Sequence, residues 1–196
     1  ICLFPFLNTL ANAFSSDAAI AAGRVTLWPV DWQTDSFRFV IVNKSVLKAL
    51  GVTCFVTVLG TAVNMLLTIV TAFPLSRQDL KGRRFIMNYI IITMLFNGGM
   101  IPTFLLVKSL NLLNNLWGII LPTAISTFNL IVMKTFFEGT PYELQEAAKI
   151  DGCSNFRILF QIMVPLSVPA IATLTLFYAV AHWNNYFNPM LYISDP

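Results

Sequence analysis

The polar stretch 138–157 lies between two long apolar segments and contains residues whose types and spacing suggest a function. Thr140 stands three residues before Glu143, which is the capping-box spacing for a helix start, and Pro141 then falls at the first helical position. Gly152 is placed to end that helix in the left-handed conformation. The stretch therefore predicts a short helix of about three turns in a loop between two membrane spans.

Carboxylates on such a helix favour an electrostatic contact over catalysis. A surface helix this short gains little stability alone, so it is better explained as a docking element. Glu146 is the first candidate, because an exposed carboxylate can pair with an arginine or lysine of a partner, and the adjacent Ala147 and Ala148 permit a close approach. The ordinary alternative is a solvated glutamate that contributes little.

Composition indicates an integral membrane protein. Hydrophobic residues make up 57% of the sequence and charged residues 11%, whereas a soluble domain carries about 25% charged residues. Mean hydropathy is +0.73. The net charge of +3 comes from loop lysines and arginines and does not imply nucleic acid. Cys2, Cys54 and Cys153 are scattered without a CxxC spacing, so neither a metal site nor a disulfide is predicted.

The predicted fold is all-α, a polytopic bundle of membrane helices that forms a single domain over residues 1–196, incomplete at both ends. A span needs about twenty residues, so the apolar run 1–10 is taken as the end of a first helix. Four complete spans are predicted at 46–73, 85–107, 119–137 and 158–181. Pro74 ends the first of them, and Pro165 and Pro169 permit a bend in the last.

The positive-inside rule orients these spans. The most basic short loop, 75–84, should be cytoplasmic, and its charged residues are Arg77, Asp79, Lys81, Arg83 and Arg84. Alternation then places 138–157 inside as well, and it places 12–45, 108–118 and the C-terminal tail outside.

The docking stretch also matches a family pattern. Glu146-Ala147-Ala148, three residues, Gly152, nine residues and then Ile162-Met163-Val164-Pro165 resemble the EAA loop of ABC-importer permeases, E-A-A-x3-G-x9-I-x-L-P, with Val164 in place of leucine. In that family the loop is cytoplasmic, and its helix inserts into a groove on the ATPase subunit. On this resemblance the docking residues are Glu143, Glu146, Ala147, Ala148, Asp151 and Gly152.

The resemblance implies a type I importer permease (MetI-like) fold in a bacterial cytoplasmic membrane, usually with six helices, so a sixth is expected beyond residue 196. It implies a second permease subunit in a heterodimer, two ATPase subunits and an extracytoplasmic solute-binding protein. No cofactor is expected in this chain, because ATP and magnesium would be bound by the ATPase. The sequence indeed has no G-x-x-x-x-G-K-[ST] phosphate loop.

Further segments are similar to the carbohydrate-uptake branch and its maltose-type inner permease subunit. They are Ala72-Phe73-Pro74-Leu75-Ser76-Arg77, Asn97-Gly98-Gly99-Met100-Ile101-Pro102 and Trp183-Asn184. The Asn-Gly-Gly run most resembles permeases for acidic oligosaccharides of the aldouronate or alginate type. The predicted function is therefore the transmembrane permease subunit of an ATP-driven carbohydrate importer, with no enzymatic activity of its own.

Candidate substrate-path residues are those that break a helix at membrane depth, or that combine aromatic and amide groups at a span end. They are Asn97, Gly98, Gly99, Tyr178, Trp183 and Asn184. Tight helix packing and interfacial anchoring explain the same residues equally well. His182, the single histidine, is predicted to lie at the membrane interface.

Three rival functions differ in what they require. An ion-coupled secondary carrier usually needs ionisable residues within its spans, whereas Lys48, Lys108 and Lys134 lie at predicted span ends. A membrane enzyme would need a clustered nucleophile, base or metal set, which one histidine and dispersed carboxylates do not provide. An ABC permease for a non-sugar solute remains the third alternative.

The charge cluster in 75–84 generates a prediction about topology. Single cysteines placed in 111–115 should react with a membrane-impermeant maleimide added from outside, whereas cysteines at Lys81 and Lys149 should not. Labelling of position 149 from outside would reverse the orientation and rule out cytoplasmic docking by this loop.

Overall fold

The computed structural model describes residues 3–35, 38, 42, 44–96 and 98–194, and the regular secondary structure in them is helical, as predicted. The chain divides into two compact units, residues 1–52 and 53–196. By length and apolar composition, one described helix is long enough to cross a membrane, or up to four if each bent pair of helices counts as one span.

The first unit begins with two short helices, α1 (Phe4–Ala13) and α2 (Asp17–Ala21). Ser16 caps α2 by accepting a hydrogen bond from the Ala19 N–H, and the neighbouring Ser15 hydroxyl accepts from the Val30 N–H at 3.0 Å. These bonds fold the polar segment back on α1. A small apolar cluster forms there from Ala11, Ala19 and Val25.

The remaining helices follow α3 (Lys44–Ser76), which runs into the second unit. They are α4 (Arg83–Leu95), α5 (Met100–Ser109), α6 (Trp117–Ile120) with a 3₁₀ turn at Leu121–Thr123, α7 (Thr127–Glu138), α8 (Tyr142–Ile150), α9 (Asn155–Ile158), a π-helical turn (Leu159–Met163), α10 (Val164–Leu166), α11 (Val168–Trp183) and α12 (Phe187–Tyr192).

Helix α3 does not end at Pro74, as the sequence suggested, but continues to Ser76. A proline in the last turn removes one backbone hydrogen bond, and the helix can continue for two residues beyond it. The Ser76 hydroxyl then donates to the Phe73 carbonyl at 2.8 Å and satisfies one of the terminal acceptors.

Each of the other three predicted spans contains a break. The run 119–137 bends by 54° between the 3₁₀ turn and α7, where Pro122 precedes a new helix start capped by Ser126. The run 158–181 bends by 86° at Ser167, which lies between Pro165 and Pro169. The run 85–107 is divided into α4 and α5, and Gly99 precedes α5 with a φ of +86°.

The main core of the second unit packs α3, α7, α8, the π turn and α11 together. Its fully buried members include Met133, Phe137, Ile158, Met163 and Leu174. The tail after α11 is also packed. The Asn114 side chain accepts from the Ser194 N–H at 2.7 Å, and the Asn114 N–H donates to the Tyr192 carbonyl at 2.8 Å. The tail therefore folds onto the loop 110–116 instead of extending freely.

Candidate functional site

Helix α8 is the short helix predicted in the docking stretch, but its start differs from the prediction. Pro141 is the N-cap residue, α8 begins at Tyr142, and no side chain caps it. The predicted capping box of Thr140 and Glu143 is therefore wrong. Proline at the N-cap fixes the backbone that enters the helix, and Glu143 in the first turn is favourably placed for the helix dipole.

The end of α8 agrees with the prediction. Gly152 has a φ of +79°, the left-handed conformation that favours glycine. The Cys153 N–H donates to the Ala148 carbonyl at 2.9 Å, and the Gly152 N–H donates to the Lys149 carbonyl at 3.0 Å. These two bonds form a Schellman motif, which fixes the direction of the chain after the helix.

The two faces of α8 have different environments. Gln145 and Ala148 are buried, and Ala148 belongs to the main core. The Ala147–Ala148 pair therefore does not form one exposed face, because Ala148 packs α8 against the protein. The exposed docking candidates are Glu143, Glu146, Ala147, Asp151 and Gly152. Leu144 and Ile150 add exposed apolar surface, with Ile150 86% exposed.

Ion pairs connect the loop 77–79 to this helix and the end of α7 to Arg83. Arg77 forms a bidentate pair with Asp79, at 3.0 and 2.8 Å, and Lys149 Nζ lies 4.0 Å from the same carboxylate. The hydrogen bond from Arg77 holds the pKa of Asp79 below its usual value. Glu138 pairs with Lys134 at 2.8 Å and also with Arg83.

A second site is a cavity of about 450 Å³ lined by residues of α3, α7, α11 and the segments next to α7 and α11. Four asparagines line it, with hydroxyl and aromatic groups between them. The lining residues are Asn64, Thr123, Ser126, Asn129, Phe177, Tyr178, Ala181, His182, Asn185 and Asn188. This lining contains no lysine, arginine or carboxylate. It is suited to a neutral, hydroxyl-rich group.

Asn64 and His182 form the most constrained pair in this cavity. The Asn64 amide donates one hydrogen to the Thr123 carbonyl at 3.2 Å, and its nitrogen lies 3.1 Å from His182 Nε2. An Asn64 amide that donates here requires Nε2 to accept, which predicts an imidazole with its proton on Nδ1. Asn64 Oδ1 is buried and has no hydrogen-bond partner among the described residues.

Tyr178 also connects the elements around the cavity. Its hydroxyl lies 2.8 Å from Thr68 Oγ1 and accepts from the Ser126 N–H at 3.1 Å. Of the predicted substrate-path residues that the structure describes, Tyr178 alone lines this cavity. Trp183 is 52% exposed, and the Asn184 amide donates to the Val180 carbonyl within α11. Gly98 and Gly99 precede α5, and Asn97 lies outside the described residues.

His182, predicted to lie at the membrane interface, is buried within the protein and bonded to Asn64. One signal in the sequence indicates this cavity. Thr57, Thr61, Asn64 and Thr68 recur at spacings of three and four in the apolar helix α3, which puts them on one helix face. Polar groups on one face of a membrane helix usually point to the bundle interior.

Comparison with known proteins agrees with this architecture. Residues 64–196 match the family model described as the binding-protein-dependent transport system inner membrane component. From Bacillus subtilis (strain 168), the polygalacturonan/rhamnogalacturonan transport system permease protein YtcP is 49% identical over the whole chain, which covers 68% of YtcP. Protein LplC from the same strain is 46% identical over the whole chain, which covers 66% of LplC.

A solved structure shows the same fold. It is the crystal structure of a bacterial ABC transporter involved in the import of the acidic polysaccharide alginate, with a TM-score of 0.94 and 36% identity over 99% of this chain and 69% of that chain. The chain belongs to the family of binding-protein-dependent transport system inner membrane components. The resemblance to carbohydrate-type ABC-importer permeases is confirmed.

The contact between α3 and His182 generates a prediction. A Cβ atom at Gly60 would lie 2.6 Å from His182 Nε2, so Gly60→Ala should displace the imidazole and break its bond with Asn64. Because His182 is the single histidine, ¹⁵N NMR of histidine-labelled chain carrying a histidine-free affinity tag should report this change directly. The parent should show a neutral ring with its proton on Nδ1.

Gly51→Ala is the matched control, because Gly51 lies on the same helix and a Cβ atom there would have no other group within 4 Å. Its histidine signals should equal those of the parent. A proton on Nε2 in the parent, or unchanged signals in Gly60→Ala, would contradict the assigned bond.

Proposed function

We propose that this chain is one of two membrane-spanning subunits of an ATP-driven importer in a bacterial cytoplasmic membrane, and that its cargo is an acidic oligosaccharide. One observation carries the proposal: a helix with exposed carboxylates and an amide-lined cavity are both built on the core around α3. The Asn64 position in the cavity and the end of α3 are about twelve residues apart, or about 20 Å along the helix axis.

Docking is assigned to the exposed face of α8. Glu146 pairs there with a cation of the ATPase subunit, while Ala147 permits close approach. Glu143 and Asp151 add negative charge at the two ends of the helix. ATP and magnesium are bound by the ATPase, so this chain contributes the path through the membrane and the surface that receives movement. A second permease subunit and an extracytoplasmic binding protein complete the importer.

The cavity is assigned to the sugar path. Asparagine side chains both donate and accept hydrogen bonds, as sugar hydroxyls do, and Phe177 and Tyr178 supply apolar surface for a pyranose ring. The names of YtcP and of the alginate importer motivate the choice of an acidic sugar. Since the lining has no cation, the carboxylates of that sugar are contacted elsewhere, by the partner permease or the binding protein.

The substrate assignment predicts that proteoliposomes holding the complete complex take up radiolabelled trigalacturonate when ATP is enclosed and binding protein is added. Uptake should persist with an ionophore, because no ion gradient drives it, and unlabelled maltotriose should not compete. Uptake abolished by the ionophore would favour a secondary carrier. ATP-driven uptake of another solute, with no uptake of trigalacturonate, would contradict the acidic-sugar assignment.

The docking assignment predicts that Glu146→Ala and Ala147→Asp insert normally but lose ATPase binding and ATP-driven uptake. Truncating one member of a desolvated charge pair weakens binding by about 2–5 kcal/mol, which is far more than an exposed pair contributes. Ala147→Asp should be the more severe, because it places a bulkier charge where close approach is needed. ATPase recovery in affinity pull-down and binding-protein-stimulated hydrolysis measure both effects.

Asp35→Ala provides the control, since it removes an exposed carboxylate from a segment that the charge rule places outside. It should retain full ATPase recovery. If Glu146→Ala and Ala147→Asp also retain full recovery and stimulated hydrolysis, the loop is only a connector.

A further inference from the structure

One side chain, Arg77, connects the end of α3 with the segment that follows the docking helix. It follows directly after α3, and its Nη1 atom donates to Asn155 Oδ1 at 2.7 Å. Asn155 is the first residue of α9, in the segment that follows the docking helix. The bond therefore joins positions 78 residues apart, one at the end of a membrane helix and one in the segment that leaves the docking helix.

Arg77 is held in a fixed orientation for this contact. Its Nε and Nη2 atoms donate to Oδ1 and Oδ2 of Asp79, and its guanidinium lies 6.0 Å from the centre of the Phe73 ring on α3. The side chain is only 12% exposed. A planar guanidinium bound on three sides has little rotational freedom, so a displacement of Asn155 is passed to α3.

Asp79 extends the contact to α8 itself. Its Oδ2 atom lies 4.0 Å from Lys149 Nζ, in the last turn of the docking helix. Lys149 in turn lies 5.8 Å from the ring centre of Tyr142, in the first turn of the same helix. Both the docking helix and the segment after it are thus connected to the Arg77–Asp79 pair.

The other end of the docking stretch is attached to the same place. Arg83 Nε donates to the Leu75 carbonyl, in the last turn of α3, at 2.8 Å. The same arginine pairs with Glu138, the last residue of α7. The two arginines therefore hold both the entry and the exit of the docking stretch at the cytoplasmic end of α3.

We propose that Arg77 is a positioning residue that couples the docking helix to the sugar cavity through α3. ATP-driven displacement of α8 moves Asn155 and Asp79, Arg77 passes this movement to the end of α3, and α3 carries it to Asn64 in the cavity wall. The inference rests on the proposed docking of α8 to an ATPase, and it adds the route by which docking reaches the cavity.

The test uses the complete complex, with this chain, its partner permease and the ATPase subunits, in nanodiscs. Native cysteines of the chain are replaced by serine, and Ala181→Cys provides a reporter in the cavity lining. The reaction rate of this cysteine with a small maleimide is compared between the nucleotide-free complex and the complex trapped with ATP and vanadate. ATPase recovery and hydrolysis are measured on the same preparations.

The rate at the reporter should differ between the two states in the parent complex. In Arg77→Gln this difference should fall about tenfold, the factor that corresponds to the loss of one charge-assisted hydrogen bond. ATPase recovery and hydrolysis should remain at the parent level, which a purely structural role for Arg77 in the docking site would not allow. Asn155→Ala should behave like Arg77→Gln, and the double variant should be no worse than either single variant.

Two matched variants sharpen the result. Asn155→Asp keeps an acceptor for Arg77 and should retain the response. Arg84→Gln removes an equal charge from an exposed position in the first turn of α4 and should have no effect. An unchanged reporter response in Arg77→Gln would overturn the proposal, and so would a loss of ATPase recovery in that variant. A parent complex that recruits no ATPase would instead contradict the proposed function.

Discussion

Backbone groups freed by a helix break inside an apolar bundle must find new hydrogen-bond partners, and the second unit depends on how this is done between α6 and α7. On one side of the break, the Thr123 carbonyl accepts from Asn64 of α3. On the other side, the Ser126 N–H donates to the Tyr178 hydroxyl of α11. Side chains from two neighbouring helices therefore converge on the break.

The cavity follows from that arrangement. Asn64 and Tyr178 are fixed by the broken backbone, and Asn64 in turn fixes His182. Gly60 permits the imidazole to lie against α3 because it has no side chain. A straight helix in place of the break would satisfy its own backbone, and Asn64 and Tyr178 would then each lose one hydrogen-bond partner, at a net cost of about 0.5–1.5 kcal/mol for each bond.

The docking stretch and the fold class were predictable because local signals specify them. Gly152 indicated the helix end, and apolar runs indicated the membrane helices. Other differences from the sequence-based expectations concern residues whose environment depends on distant contacts. His182 is polar and lies near a span end, so the sequence favoured the interface, whereas its partner Asn64 is 118 residues away. The sequence of a nine-residue helix does not show what packs beneath it, so the burial of Ala148 could not be predicted.

The substrate-path residues illustrate the same limit. Tyr178 lines the cavity, but the asparagines beside it come from α3, α7 and the segment after α11. The threonine and asparagine stripe on α3 is visible in the sequence, whereas the partners that face it are not. Arg77 likewise belongs to a basic loop whose charge predicts the orientation of the chain in the membrane. Charge alone does not reveal a bond to Asn155.

The π turn at Leu159–Met163 affects the rotational orientation of the docking stretch about the helix axis. A π turn holds one residue more than an α-helical turn, and one residue corresponds to about 100° of rotation around a helix axis. The residues on its two sides therefore differ from those of an uninterrupted α-helix in their relative angle around the helix axis. Removing a single residue from this turn would rotate Asn155 about the axis relative to Leu166. The angular setting of the docking surface is thus encoded in the length of one helical turn, independently of the chemistry of the surface itself.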